Sequence, residues 1–277
     1  MDIPKRRLGR TGEEVTILGL GGEGILRTVG YDRDASRLVN RAIDLGITYF
    51  ESARAYDGSE AYYGRALKER RKDIFLTSKS HARTKAGALN HMDQTLRNMK
   101  TDHLDLWQVH DVRTADEIEQ LFGPDGAMEA FVQAKRDGRT RFIGITGHHD
   151  PAIIAQCLDL FDFDTVLMPV NSAEPAYDSF LAGVLPRASE KGMGIIGMKS
   201  YFRGLASRLP WYAGMELFLR FALSQPVTTV VVGCDTAEQL GENVEIARSF
   251  QPMTREEENE LAASVSPYAR ELMYYKP

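Results

Sequence analysis

The feature that most constrains this chain is an alternation that recurs eight times. Short apolar runs rich in β-branched residues are each followed by an amphipathic stretch, often closed by glycine. VTILGLGG (15–22) leads to a helix near 34–45, where Ala35, Leu38, Val39, Ala42 and Ile43 share one face and Gly46 is the stop. ITYFE (47–51) precedes a helix from Ser59 to about Lys68, and IFLTSK (74–79) precedes one carrying Leu89, Met92, Leu96 and Met99. LDLWQVH (104–110) is followed by a segment ending near Lys135. RFIGITG (141–147) leads to a helix with Asp150 as N-cap and Pro151 at its first position. TVLMPVN (165–171) precedes Asp178–Glu190, and MGIIGMK (193–199) precedes Gly214–Ser224. TTVVVG (228–233) precedes Thr236–Ala247, which opens with Thr-x-x-Gln, a capping-box pattern.

Strand runs without polar alternation suit parallel strands covered on both faces. Strands that alternate with helices imply a parallel sheet with right-handed crossovers. Eight such units in 277 residues predict an α/β fold, a (β/α)8 TIM barrel occupying residues 1–277 as one domain. The competitor is an open doubly wound sheet, which carries a Gly-rich phosphate loop after its first strand. GLGGEG (19–24) is not read as that loop, and Glu51 at the second strand end is claimed for another role. RRLGRTGEEV (6–15) has turn residues between short β-like runs and predicts an N-terminal β-hairpin plugging the bottom of the barrel. The stretch after Phe250 predicts an extra C-terminal helix and tail.

Bulk properties narrow the function classes. A net charge of −5 argues against nucleic acid as a partner, because phosphate binding is driven by clustered Lys and Arg. The basic runs KERRK (68–72) and KRDGRTR (135–141) read as solvated helix ends and turns. No apolar run approaches the ~18 residues of a membrane helix, and MDIPKRRLGR is not followed by a hydrophobic signal region. Cys157 and Cys234 lie far apart and have no metal spacing. A cytoplasmic protein with a small-molecule partner is expected, without membrane attachment; oligomeric state is not readable.

In such a barrel the site lies at the C-terminal ends of the strands. Those ends read Glu51, Lys79, His110, Thr146 to His149, Asn171, Lys199 and Gly233, with Tyr56 just beyond the second. Singly, each has a plain structural reading as a turn, rim or packing residue. Together, ionisable groups from strands two, three and four converge on one end. A free tyrosine has a pKa near 10 and is a poor acid; a neighbouring ammonium is expected to lower it. Glu51 would hold Lys79 charged, and a neutral His110 would donate to a substrate oxygen. This set suits protonation of an oxygen as negative charge develops on it, as carbonyl reduction requires.

The residues resemble the aldo-keto reductases. The family's acidic residue after an aromatic strand end, then Tyr, then Ser-Glu, is similar to YFESARAYDGSEAYYGRAL (49–67). Lys79 in LTSK and His110 in HLDLWQVH (103–110) look like the catalytic lysine and histidine. GRTRFIGITG (138–147) and GCDTAEQLGENVEIA (233–247) also match, so the resemblance runs from Arg7 to about Ala247. It implies a (β/α)8 barrel, a cofactor NADP(H) or NAD(H) across the mouth, and reduction of an aldehyde or ketone. Tyr56 is then the general acid, Glu51 holds Lys79, and Ser59 with Glu60 opens the next helix.

The resemblance also places the cofactor-binding positions, with departures. Glu51 stands where the family usually has Asp. The carboxamide-holding Ser-Asn pair and Gln resemble Thr146, Gly147 and Leu167, of which Thr146 keeps a hydrogen-bonding group; Asn171 or His148 is the candidate substitute. Met198 stands at the stacking aromatic, and Lys199 beside it is a candidate for the pyrophosphate. Gly233, Gln239, Glu242 and Asn243 fall in the strand-eight motif. From Thr228 to Ala247 there is no Lys or Arg, but Asp235, Glu238, Glu242 and Glu245 are present, which favours NADH against the family's NADPH. Tyr201, Phe202, Trp211, Tyr212, Met273, Tyr274 and Tyr275 are candidate pocket walls. Two rival readings are a non-catalytic nicotinamide-nucleotide sensor on the same barrel and a metal-dependent hydrolase using His81, His110, His148, His149 and Asp150. No metal site is expected, because Asp150 is better read as a helix cap.

Overall fold

The computed structural model describes residues 1–277. Ten strands are present. β1 (Lys5–Arg7) and β2 (Glu14–Thr16) pair antiparallel as a hairpin. The other eight are β3 (Leu18–Gly24), β4 (Tyr49–Glu51), β5 (Phe75–Ser80), β6 (Leu104–Val109), β7 (Thr140–Thr146), β8 (Thr165–Pro169), β9 (Gly194–Met198) and β10 (Thr229–Cys234). They close into one parallel barrel in chain order, β10 pairing back onto β3 through Val230–Leu18, Val231–Gly19 and Val232–Leu20. The expected (β/α)8 barrel and its N-terminal hairpin are therefore present.

The helices are α1 (Asp32–Asp44), α2 (Ser59–Ala66), α3 (Lys85–Met99), α4 (Ala115–Phe122), α5 (Ala127–Arg136), α6 (Pro151–Leu160), α7 (Phe180–Gly183), α8 (Leu185–Glu190), α9 (Glu216–Ser224), α10 (Ala237–Arg248), α11 (Arg255–Val265) and α12 (Ala269–Leu272). In α1 the buried residues are Ala35, Leu38, Val39 and Ala42, the helical stripe the sequence displays. Asp150 caps α6 by accepting from Ala152 N at 2.7 Å. No helix is long and apolar enough to cross a membrane.

Several boundaries differ from the sequence reading, each for a local reason. Val15 and Thr16 belong to the hairpin, so the first barrel strand begins at Leu18. The stretch Asp178–Glu190 is two short helices: α7 ends at Gly183, and Pro186, which has no N–H to give, sits in the first turn of α8. The segment after β6 is likewise split by Gly123-Pro124-Asp125-Gly126. GLGGEG does spell G-x-G-x-x-G; its letters do not distinguish a phosphate loop from a strand, but residues 18–24 lie between β4 and β10 in the closed barrel.

The hairpin closes the bottom of the barrel through its turn. Leu8 is fully buried among Tyr49, Phe75, Leu106, Leu167, Ile196 and Val231, side chains that fill the barrel interior. Gly9 lets Leu8 enter. Its φ is +51°, and a Cβ there would lie 2.2 Å from the Gly194 nitrogen and 2.3 Å from the Met193 carbonyl carbon. Replacing Gly9 with alanine meets backbone rather than a flexible side chain and adds left-handed strain. Gly9→Ala is expected to cost about 2–4 kcal/mol in denaturant unfolding; a change under about 0.5 kcal/mol would mean that the plug does not depend on this approach.

Candidate active site

Four side chains from the ends of β4, β5 and β6 meet at the barrel mouth. β4 ends on Glu51, and β5 carries Lys79 alongside it; both side chains are almost completely buried. The Lys79 ammonium is in direct contact with Glu51 Oε1, donates to the Ser52 carbonyl at 2.9 Å and reaches the Tyr56 hydroxyl at 3.4 Å. It also lies 4.6 Å from the Tyr56 ring centroid. The other Glu51 oxygen accepts from Gly22 N at 2.7 Å. The His110 ring stands edge-on to Tyr56, centroids 5.8 Å apart at 84°.

Burial and charge set the protonation states. Removal from water pushes the Lys79 ammonium well down from the ordinary lysine range, with Lys199 and Arg27 adding to the fall and Glu23 opposing it; the Glu51 carboxylate in contact acts in the sense that keeps the charge. Burial, assisted by Lys79 and His148, holds His110 neutral, well below the usual histidine value. The Tyr56 phenol corrects an expectation. It is raised, not lowered: desolvation is the largest cause, Glu23 and Asp111 add to it, and Arg27 and Arg203 oppose it. Tyr56 is thus firmly protonated in the resting state.

A second polar layer supports this set from behind. Ser52 and Ser59 hydroxyls are 2.8 Å apart, and Glu60, 2% exposed, accepts from Arg54, Ser78, Thr95 and Asn98. α2 does open at Ser59, but its N-cap is Gly58, and Ser59 and Glu60 face inward. Glu60 ties α2 to β5 and α3, which fixes the loop carrying Tyr56.

The residues expected around a cofactor are distributed less simply. Thr146 ends β7 at the mouth, where its hydroxyl accepts from Asp111 N at 2.9 Å. Asn171 is fully buried and engaged, giving Nδ2 to the Tyr275 hydroxyl and accepting from Ala173 N and Glu174 N. Met198 ends β9 and packs against the barrel interior. Lys199 has φ +63° and points into the C-terminal tail, 3.4 Å from the Tyr274 hydroxyl. Gly233 lies near the end of β10 against Glu23. Gln239 accepts from Asp235 N at 2.8 Å while Thr236 accepts from Gln239 N, so the expected reciprocal cap is displaced by one residue. Glu242 is exposed on α10, and Asn243 accepts from the Tyr201 hydroxyl at 2.6 Å. Of the expected pocket walls, Phe202 and Met273 are fully buried packing residues, and Trp211 stacks on Phe218. Tyr274 lies 3.4 Å from Lys199, and Tyr275 is buried, its ring edge-on to His148 at 5.8 Å.

Sequence reading missed several residues that shape this site. Gly22 not only donates to Glu51; a Cβ on it would lie 2.7 Å from the Tyr56 ring, so its bareness lets Tyr56 settle against β3. Arg27 lies over the Tyr56 ring at 4.9 Å and pairs with Glu23 at 2.7 Å. Arg203 faces Glu23 at 3.6 Å. The tail is locked down by Lys276, which pairs with Glu174 at 2.9 Å, both side chains fully buried. The only advance signal was the run of tyrosines before Lys276.

The buried contact between Lys79 and Glu51 yields a stability prediction. Lys79→Met leaves a carboxylate buried without its ammonium and is expected to cost about 3–5 kcal/mol. Replacing both, with Glu51→Met added, is expected to restore much of that loss. Denaturant unfolding of the two variants is the check, and equal destabilisation by both would contradict it.

The chain is 25% identical to L-galactose dehydrogenase of Arabidopsis thaliana, covering 96% of this chain and 95% of that one. The solved holo form of aldo-keto reductase AKR11C1 from Bacillus halodurans is 26% identical, with a TM-score of 0.80 over 95% of this chain and 96% of that one. An aldo-keto reductase from Klebsiella pneumoniae solved with NADPH has the same fold, with a TM-score of 0.80 at 19% identity and 96% coverage of each chain. The model of the Aldo/keto reductase family matches residues 17–209. With the closed barrel that carries these strand ends, the chain belongs to the aldo/keto reductase family.

Proposed function

We propose that the chain is an NAD(P)H-dependent oxidoreductase that reduces an aldehyde or ketone to the alcohol, with Tyr56 as the proton donor. The observation that carries this reading is the junction at the Lys79 ammonium, which is held by Glu51 and Ser52 and reaches the Tyr56 hydroxyl at 3.4 Å. A proton leaving Tyr56 is favoured by the ammonium beside the forming phenolate. The neutral His110 ring, edge-on to Tyr56, can donate a hydrogen bond to the same substrate oxygen. Glu51 touches no reacting atom; it positions Lys79.

The residues present fit a dinucleotide. Lys199 and Arg203 from the loop after β9, with Arg27 from the loop after β3, bring cationic groups to one side of the mouth, Lys199 against Tyr274 and the two arginines against Glu23. Such groups suit a pyrophosphate. The N-terminus of α10 adds backbone donors to the same rim. When bound, the reduced nicotinamide supplies the hydride. Support also comes from a neighbour solved with NADPH and a relative named as a sugar dehydrogenase. In this reading Thr146 would serve the nicotinamide end, and Met198, Gly233, Gln239, Glu242 and Asn243 the rest of the cofactor. Asn171 is committed to Tyr275 and its own turn, so its part is to anchor the tail.

The test is loss of reduced-nicotinamide absorbance with a reactive aromatic aldehyde and either NADPH or NADH. Tyr56→Phe is expected to lower kcat by about 10²–10⁴-fold while cofactor binding, read by quenching of protein fluorescence, is unchanged. Wild-type turnover equal to that of the variant would overturn the role of Tyr56. Cofactor binding with no wild-type turnover would support a sensor instead.

The raised Tyr56 phenol adds a pH prediction. An acid held above its ordinary value of about 10 stays protonated through neutrality. Reduction at saturating cofactor is expected to stay level from about pH 6 to 9 and to fall only above that range. A pH–rate profile with a midpoint near neutrality would assign the limiting proton to another group.

A further inference from the structure

Asp111, His148 and His149 stand together beside the candidate active site; the His148 ring packs edge-on against Tyr275 at 5.8 Å, and none of the three has a direct part in the proposed reduction. Asp111 follows His110 at the end of the β6 loop, and the two histidines follow Thr146 and Gly147 after β7. Asp111 Oδ1 lies 3.3 Å from His148 Nδ1 and 3.9 Å from His149 Nε2, and the three atoms are all within 4.8 Å of one another. Asp111 Oδ1 and His149 Nε2 are buried and have no hydrogen-bond partner. An unsatisfied carboxylate oxygen facing an unsatisfied ring nitrogen is costly, and at 3.9 Å the two cannot satisfy each other.

The backbone holds these groups rigidly from both sides. Asp111 adopts φ +55°, and its loop is pinned by Asp111 N and Val112 N donating to Thr146 and by Arg83 donating to the Asp111 carbonyl. The histidines are fixed between Thr146 and the Asp150 cap of α6. A tetrahedral zinc ion bonded at about 2.0–2.1 Å separates its ligand atoms by about 3.3 Å, so small rotations of the two rings would bring the three atoms to that spacing. The other oxygen of Asp111, Oδ2, accepts from Arg113 Nε at 2.7 Å and from its Nη2 at 2.5 Å, outer contacts of the kind that orient a metal-binding carboxylate. The charges facing the cluster are mixed: Asp111 and Glu117 favour a cation, while Arg113 and Lys199 oppose it. The side chains are 13–24% exposed, which leaves access for an ion and for water on its remaining positions.

We propose that Asp111 Oδ1, His148 Nδ1 and His149 Nε2 form a three-ligand site for a divalent transition metal of the zinc class. The donor set is two imidazoles and one carboxylate, which such ions prefer over the all-oxygen sets of magnesium and calcium. This site is not the one the sequence suggested for a hydrolase: Asp150 is spent as a cap, and the carboxylate comes from a different strand end. The inference does not depend on the reductase reading.

The experiment titrates the chelator-treated full-length protein with Zn²⁺ by calorimetry and with Co²⁺ by visible absorption. One ion per chain is expected, with the intense cobalt bands of four- or five-coordination. Asp111→Asn, which keeps a residue tolerant of positive φ, and His149→Ala are each expected to weaken Zn²⁺ binding by at least about tenfold, since even partners of metal ligands are worth that much. His103→Ala, in the separate exposed pair with Asp102, is expected to leave it unchanged. Circular dichroism confirms that each variant is folded. No binding by the wild type, or binding that survives both site variants, overturns the proposal.

Discussion

A lysine ammonium inside a barrel must be compensated, and the mouth of this protein is organised around that requirement. Lys79 is 1% exposed, so its charge is stable only where carboxylate and carbonyl oxygens surround it. Glu51 and the Ser52 carbonyl supply them, and Tyr56 takes the remaining direction. Glu51 is in turn fixed by the Gly22 amide, which joins β3 to β4, so the ion pair links three adjacent strands. Tyr56, the proposed proton donor, is positioned by residues that are already committed to one another.

The far side of the mouth is organised by a second buried pair. Glu174 and Lys276 are both withdrawn from water, and Tyr275 bridges Glu174 to Asn171. Burial raises the Glu174 carboxyl from its usual range while Lys276 opposes the rise. These contacts bring the last residues of the chain over the barrel, placing Tyr274 beside Lys199 and Arg203. The Tyr274 hydroxyl lies 3.4 Å from the Lys199 ammonium, so the position of the tail and that of this cation are coupled.

Much of the fold was legible because its signals are local. The stripe in α1, the Asp150-Pro151 start of α6 and the continuous apolar strand runs each follow from hydrogen bonding and periodicity within a few residues. The breaks at Gly123–Gly126 and at Pro186 were visible as residues but were not used as stops. GLGGEG shows the limit of a letter pattern: a phosphate loop and a glycine-rich barrel strand share it, and only pairing with β4 and β10 separates them. In the site, Glu51, Tyr56, Lys79 and His110 were found because ionisable groups at the ends of apolar strands are unusual. Asn171, polar but not ionisable, also follows an apolar strand run and is spent on the tail.

The sequence by itself determined the number and order of the barrel strands, their alternation with helical segments, and the end of the barrel at which polar chemistry gathers. It could do so because periodicity and capping act over a few residues, and because parallel strands all end on one face. Tertiary structure decided the direction of the Tyr56 shift, since desolvation depends on everything that surrounds the ring. It decided that Asp111 meets His148 and His149, which lie on a different strand end. It also decided that Lys276 crosses to Glu174, far away in the chain. Such meetings depend on how closed strands and returning loops share space, and no local window of sequence contains that information.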